Sequence, residues 1–212
     1  MNRLDVYTAV HKMQRARLFN LTMEAGRTDP SDSVTTARLA SAVHVVGAEL
    51  VAHAGHEDRF IHPLLRQKAP ALAAELDAAH AELEVKLDEL RHVAATYATA
   101  PGHPNVLYRA LASFTAGYLD HLTREEGDAL PALWESCNDE ELMGILVSFR
   151  GSRSDAENLT SVLAQLATLN PPEIAQMASV GLGPLRTSEV TELLATLLTP
   201  NQYGALLGLR AA

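Results

Sequence analysis

The chain has 212 residues, 20% of them charged and 47% apolar, and a formal net charge of −9. That balance suits a globular protein with a sizeable buried core, built as one large domain or as one domain with an appendage. The acidity, with no Lys/Arg cluster to offset it, argues against a nucleic-acid partner, because phosphate recognition calls for a basic patch.

Apolar residues recur at helical spacing almost throughout, and the β-branched alternation of strands is absent, so the expected fold class is all-α. A first helix over residues 5–25 should end at Gly26 and the Arg27-Thr28-Asp29-Pro30 loop. A second starts at the N-cap candidates Ser31 to Ser33 and runs to residue 67, with Pro70 marking the turn. The third covers 71–99 and stops at Ala100-Pro101-Gly102. The fourth begins near Pro104, a favourable first-turn residue, and continues to 136. Pro63 and Pro131 fall inside the ends of the second and fourth helices, where a missing backbone donor should kink or loosen the last turn.

Beyond residue 137 the character changes. All nine histidines lie at or before His121, and the remainder offers Leu-rich amphipathic pieces over 139–149, 154–169, 172–180, 187–198 and 201–209. Asn138-Asp139-Glu140-Glu141, Asn170-Pro171-Pro172-Glu173 and Thr199-Pro200-Asn201 read as helix starts. Helices this short do not stand alone. The expected organisation is therefore an up-down-up-down four-helix bundle over 1–137 and a helical extension over 138–212, packed on the bundle or on a second copy of the chain.

The one cysteine, Cys137, excludes an internal disulfide and cannot supply a thiolate cage, so it is read as structural. The first residues carry no apolar leader, and no run approaches ~20 uninterrupted apolar residues. Neither export nor a membrane partner is expected, and the cytoplasm is the default compartment.

The most informative feature is a repeat. His53-x3-Glu57-Asp58-x4-Pro63 returns as His121-x3-Glu125-Glu126-x4-Pro131, with His11 and His80 lying 42 and 41 residues upstream. Four residues along a helix is ~400° of rotation, so each His and its Glu sit one turn apart on one face, as do His80 and Glu84. Burying such a set uncompensated costs several kcal/mol per ionised carboxylate, a penalty that two cations offset. Facing helices of a bundle can hold such a two-metal site. The assignment is His11 and His53 on one metal and His80 and His121 on the other. Glu57 and Glu125 bridge, and Glu84 is a candidate extra ligand on the second metal. Four imidazoles favour iron over magnesium or calcium, and manganese satisfies the same ligands.

The other histidines read as peripheral. His44 and His62 lie nine residues either side of His53, ~180° away on the wheel. His56 reads as a rim residue, and His92 and His103 as solvated. Asp58 and Glu126, one residue past the ligands, are expected on the helix flank or supporting a ligand. A zinc-protease motif needs a second His where Phe60 stands, and ferritin-like sites carry Glu-x-x-His, so neither fits.

Over residues 5–136 these motifs resemble the hemerythrin-like proteins, specifically the bacterial His-His-Glu cation-binding domain. The resemblance implies an up-down-up-down bundle holding a non-haem, oxo- or hydroxo-bridged di-iron centre that binds or reacts with O2, peroxide or nitric oxide. Oxygen-carrying members have a His where Glu84 stands and an Asp five residues after the last His, whereas here Glu125 follows at four. A carboxylate at 84 would favour ferric iron, which leans away from reversible oxygen carriage. An iron- or oxygen-sensing module and a peroxide-decomposing enzyme stay open beside it. Tyr118, three residues before His121, is either a proton relay for the enzyme or a core tyrosine.

Overall fold

The computed structural model describes residues 3–100, 102–179 and 194–208. It is all-α, with no strand among the described residues. The helices are α1 (Thr8–Arg27), α2 (Ser33–Phe60), α3 (His62–Lys68), α4 (Pro70–Thr99), α5 (Val106–Arg124), α6 (Leu130–Ser136), α7 (Asp139–Gly151), α8 (Asp155–Leu166), α9 (Pro171–Ser179) and α10 (Pro200–Gly208). A π-helical turn, Glu125–Ala129, joins α5 to α6.

The chain divides into two compact units. One comprises residues 1–7 and 14–145, the other 8–13 and 146–212. The first turns of α7 belong to the first unit.

Within the first unit, α1, α2, α4 and α5 share one core. Leu18 and Leu21 come from α1, Leu39, Val43 and Leu50 from α2, Leu87 and Leu90 from α4, and Leu107, Leu111 and Leu122 from α5. Burying each such side chain contributes ~1.5–3 kcal/mol. Helix α2 packs on α4, and α4 on α5. Gly47 permits the first of these contacts, because a Cβ there would meet Leu87 Cδ1 and Arg91 Nε at 3.1 Å. By length and mean hydropathy, 1.2, α2 is the one described helix that a membrane could accommodate. Its Leu39, Val43, Val46 and Leu50 instead line the core.

Local chemistry sets the helix ends. Asp32 caps α2 by accepting the N–H groups of Val34 and Thr35. Asp5 accepts the Tyr7 N–H at 2.9 Å in a turn that delays α1 to Thr8. The two repeated prolines start elements rather than end them, each standing in the first turn of a short helix, α3 or α6. The breaks before them differ. Helix α2 stops at Phe60 with Ile61 as a junction, whereas the second copy runs through the π turn, where the Leu130 N–H reaches back five residues to Glu125.

In the second unit, Leu166, Leu169, Ile174, Leu194 and Leu198 form a small core joined by Ala9 and Tyr203. Reciprocal caps secure its short helices. Ser154 pairs with Glu157, Asn170 with Glu173 and Thr199 with Gln202, each side chain bonding the other residue's N–H. Asn138 and Glu141 do the same for α7 in the first unit. The expected helix over 187–198 lies outside the described residues up to 193, as do Val180 and Leu209. Cys137 is buried, as its structural reading anticipated.

Candidate metal centre

The five ligand candidates of the first unit outside Glu84 come together at one end of its core. His53 and Glu57 lie near the C-terminus of α2, His80 in the first half of α4, and His121 and Glu125 where α5 meets the π turn. His53 Nε2 is 3.0 Å from Glu57 Oε1, and His121 Nε2 is 3.1 Å from Glu125 Oε1. His80 Nε2 stands 3.4 Å from Glu57 Oε2 and 3.6 Å from Glu125 Oε1, bringing the two repeats together. Glu57, His80, His121 and Glu125 each offer a ligand atom within 4.8 Å of the others.

These distances suit a shared cation. Two donors at ~2.1 Å from one ion and at right angles are ~3.0 Å apart. Both carboxylates are buried, Glu57 at 2% exposure and Glu125 at 0%, so their charge has no water to spread into. His80 Nε2, also buried, has no hydrogen-bond partner of proper geometry. An imidazole nitrogen among carboxylate oxygens is the donor set that a cation with nitrogen and oxygen ligands requires.

Without a cation, the charges settle through protons. Burial alone pushes the His80 imidazolium down, but the Glu125 and Glu57 carboxylates, with Asp58 at Nδ1, outweigh it and raise its pKa from 6.5 to about 10. Burial and Glu57 push the Glu125 carboxyl up, but His121 and His80 hold it below its ordinary value. The Tyr7 and Tyr118 phenols are raised well above 10 by burial first and then by Glu57 and Glu125. Both tyrosines therefore stay protonated while feeling the site's charge. The Tyr118 ring lies 6.1 Å from that of His121.

His11 is fully buried on α1, in the stretch that groups with the second unit. Glu84 is corrected: it is exposed and outside the cluster. The inward residues of α4 are Leu76, His80, Leu83, Leu87, Leu90, Ala94 and Tyr97, alternating steps of four and three. After the four-step to His80 the stripe takes a three-step to Leu83, which turns Glu84 outward. The inference drawn from a carboxylate at 84 falls with it.

His62 is the second correction. It is fully buried, and its ring stacks on His80 with centroids 5.0 Å apart. The helical wheel failed because the chain leaves the helix at Ile61, so nine residues of continuous rotation were never made. Pro63 was the signal to stop the wheel there. Tyr7 was also missed, and only its spacing of four before His11 marked it. Asp58 and Glu126 stand beside the ligands as expected: Asp58 accepts from His80 Nδ1 at 2.9 Å, and Glu126 receives a two-pronged ion pair from Arg15. His44, His92 and His103 are exposed.

An all-α chain that gathers three imidazoles around two buried carboxylates defines a cation-binding helical protein. The hemerythrin HHE cation binding domain matches residues 2–133, more than half of the chain, and the chain belongs to that family. No curated protein and no solved structure matches it.

Proposed function

We propose that the chain holds two iron ions in an up-down-up-down four-helix bundle and reacts there with O2 or a related small oxidant, peroxide or nitric oxide. Within the first unit, His53 would serve one ion, His80 and His121 the other, and Glu57 and Glu125 would supply carboxylate oxygens to both. Manganese suits the same donors. The observation that carries this reading is the pair of buried carboxylates with imidazole nitrogens 3.0–3.6 Å away. Chain direction supports the bundle. Leu122 apart, the core residues precede His53 and His121 on α2 and α5 but follow His80 on α4, the order that an α4 running opposite to its neighbours would give.

Bound iron would supply electrons to the oxidant. The chain supplies the rest. Glu57 and Glu125 would hold the ions and balance their charge, and the imidazoles would be neutral donors beside them. The protonated phenols of Tyr7 and Tyr118 hold O–H donors at the site. Tyr118 favours a second reading, turnover of peroxide, because a buried donor beside His121 suits proton delivery. The net charge of −9, with no Lys/Arg cluster in the sequence, fits a cytoplasmic protein that works without nucleic acid.

The test is elemental analysis of purified protein, then anaerobic reloading with Fe(II) and rapid mixing with O2 or H2O2. Two irons per chain, and an optical change on mixing that Glu57→Ala and Glu125→Ala abolish, are expected. Folded protein that takes up no iron refutes the reading. Multiple turnovers of H2O2 select the catalytic version.

A further inference from the structure

Asp58 directly follows the buried Glu57, yet its side chain is 46% exposed. Its Oδ1 lies 2.9 Å from His80 Nδ1 and 3.1 Å from His62 Nδ1. The buried His62 has its shorter contact elsewhere, with Nδ1 2.7 Å from Asp77 Oδ1. Arg66 closes the chain by donating to both Asp77 oxygens at 3.0 Å. The His62 and His80 rings lie nearly parallel, 13° apart, so His62 forms a wall against which His80 rests.

An imidazole offers a metal one nitrogen, and the proton on the other decides which one. A carboxylate oxygen of Asp58 accepts a hydrogen bond from His80 Nδ1–H, which leaves Nε2, beside Glu57 and Glu125, as the nitrogen for a cation. His121 has no such support, since its Nδ1 is buried without a hydrogen-bond partner. Asp58, His62 and His80 also offer ligand atoms within 4.8 Å of one another. Both Nδ1 atoms are already engaged, however, and Arg66 supplies the positive charge beside Asp77, so hydrogen-bonded support explains the group better than a further cation.

We propose that Asp58 and His62 are positioning residues for the ligand His80. Asp58 fixes its Nδ1–H tautomer, and His62, anchored through Asp77 and Arg66, fixes the plane of its ring. This rests on the reading of His80 as a metal ligand. One consequence is unequal: the cation at His80 and His121 depends on this support, and the one at His53 does not.

The experiment uses the full chain and Zn2+, a diamagnetic probe of the same donors. Chelator competition gives the number and affinity of bound ions for wild type, Asp58→Asn, His62→Phe and His80→Ala. Long-range 1H–15N spectra of the loaded protein report the His80 tautomer. In Asp58→Asn one of two equivalents should weaken by about 10- to 100-fold while the other holds, and the His80 Nδ1 proton should lose its downfield shift. His62→Phe keeps a stacking ring and should weaken the same equivalent less. Should it fail to fold by circular dichroism, Asp58→Asn, at a half-exposed position, carries the test alone. If His80→Ala loses an equivalent but Asp58→Asn matches wild type in affinity and spectrum, this inference is overturned and the ligand reading stands. If His80→Ala keeps both equivalents, the ligand reading fails and takes this one with it. A third equivalent lost in Asp58→Asn would mean that the group is itself a cation site.

Discussion

A cation reaching His80 must displace a proton. In the metal-free protein the surrounding carboxylates raise its pKa from 6.5 to about 10, so at neutral pH nearly every molecule holds that proton. Binding then weakens in proportion to the neutral fraction of His80, which falls about tenfold for each pH unit below that value. Between pH 7 and 8 the apparent Zn2+ affinity of this equivalent should increase about tenfold, or ~1.4 kcal/mol. A histidine at its ordinary value is already mostly neutral at pH 7 and would give only about a 1.3-fold gain. Chelator competition at the two pH values measures the change. Calorimetry in buffers of different ionisation enthalpy should count about one proton from this histidine per chain released on loading. An affinity that changes less than twofold, with no proton released, would refute the claim that Glu57 and Glu125 act on His80 as a buried charge pair.

The same shift sets the pH dependence of folding without metal. Because the folded pKa lies above the unfolded one, its stabilisation is fully present below about 6.5 and is lost as pH rises toward 10, a fall on the order of a few kcal/mol. Urea titrations of chelated protein at pH 7, 8 and 9 should show falling midpoints. Glu84→Gln should leave metal count and affinity unchanged, whereas His121→Ala should lose one equivalent; equal losses in both would place Glu84 in the site. Leu111→Ala, at a fully buried core position, should cost ~2–5 kcal/mol in urea unfolding. Ser154→Ala removes one half of a reciprocal cap and should cost ~1 kcal/mol, seen as faster amide exchange at the start of α8.

His53 with Glu57 and His121 with Glu125 were legible from sequence because each pair lies within one unbroken helical turn, where spacing alone fixes the face. His80 was legible by its matched distance from the second pair. Glu84 was misread because the same one-turn rule ignores how an inward stripe alternates its steps over a long helix such as α4. His62 was misread across a break whose proline stood in plain view. Asp58 was placed on the flank correctly, but its contacts with two imidazoles depend on α3 and α4 folding against one another, and no local pattern encodes that. The tail's helix starts were readable because a reciprocal cap needs only two residues three apart. Pro63 and Pro131 look alike in sequence yet follow different breaks, since Ile61 ends one helix and a wide turn carries the other through.

That wide turn acts as a vernier. Continued at the spacing of α5, the inward positions after Leu122 and Glu125 would be 129, 132 and 136. The buried ones are Ala129, Leu130, Leu133 and Cys137, so beyond the turn the inward face has advanced by one residue. One added residue rotates everything after it by ~100°. Glu125 can thus face the metal centre while Leu130 and Leu133 are buried where α6 packs with α3. A chain shortened at the exposed Gly127 would regain an even helix, and could then keep Glu125 in the site or Leu133 in its packing, but not both.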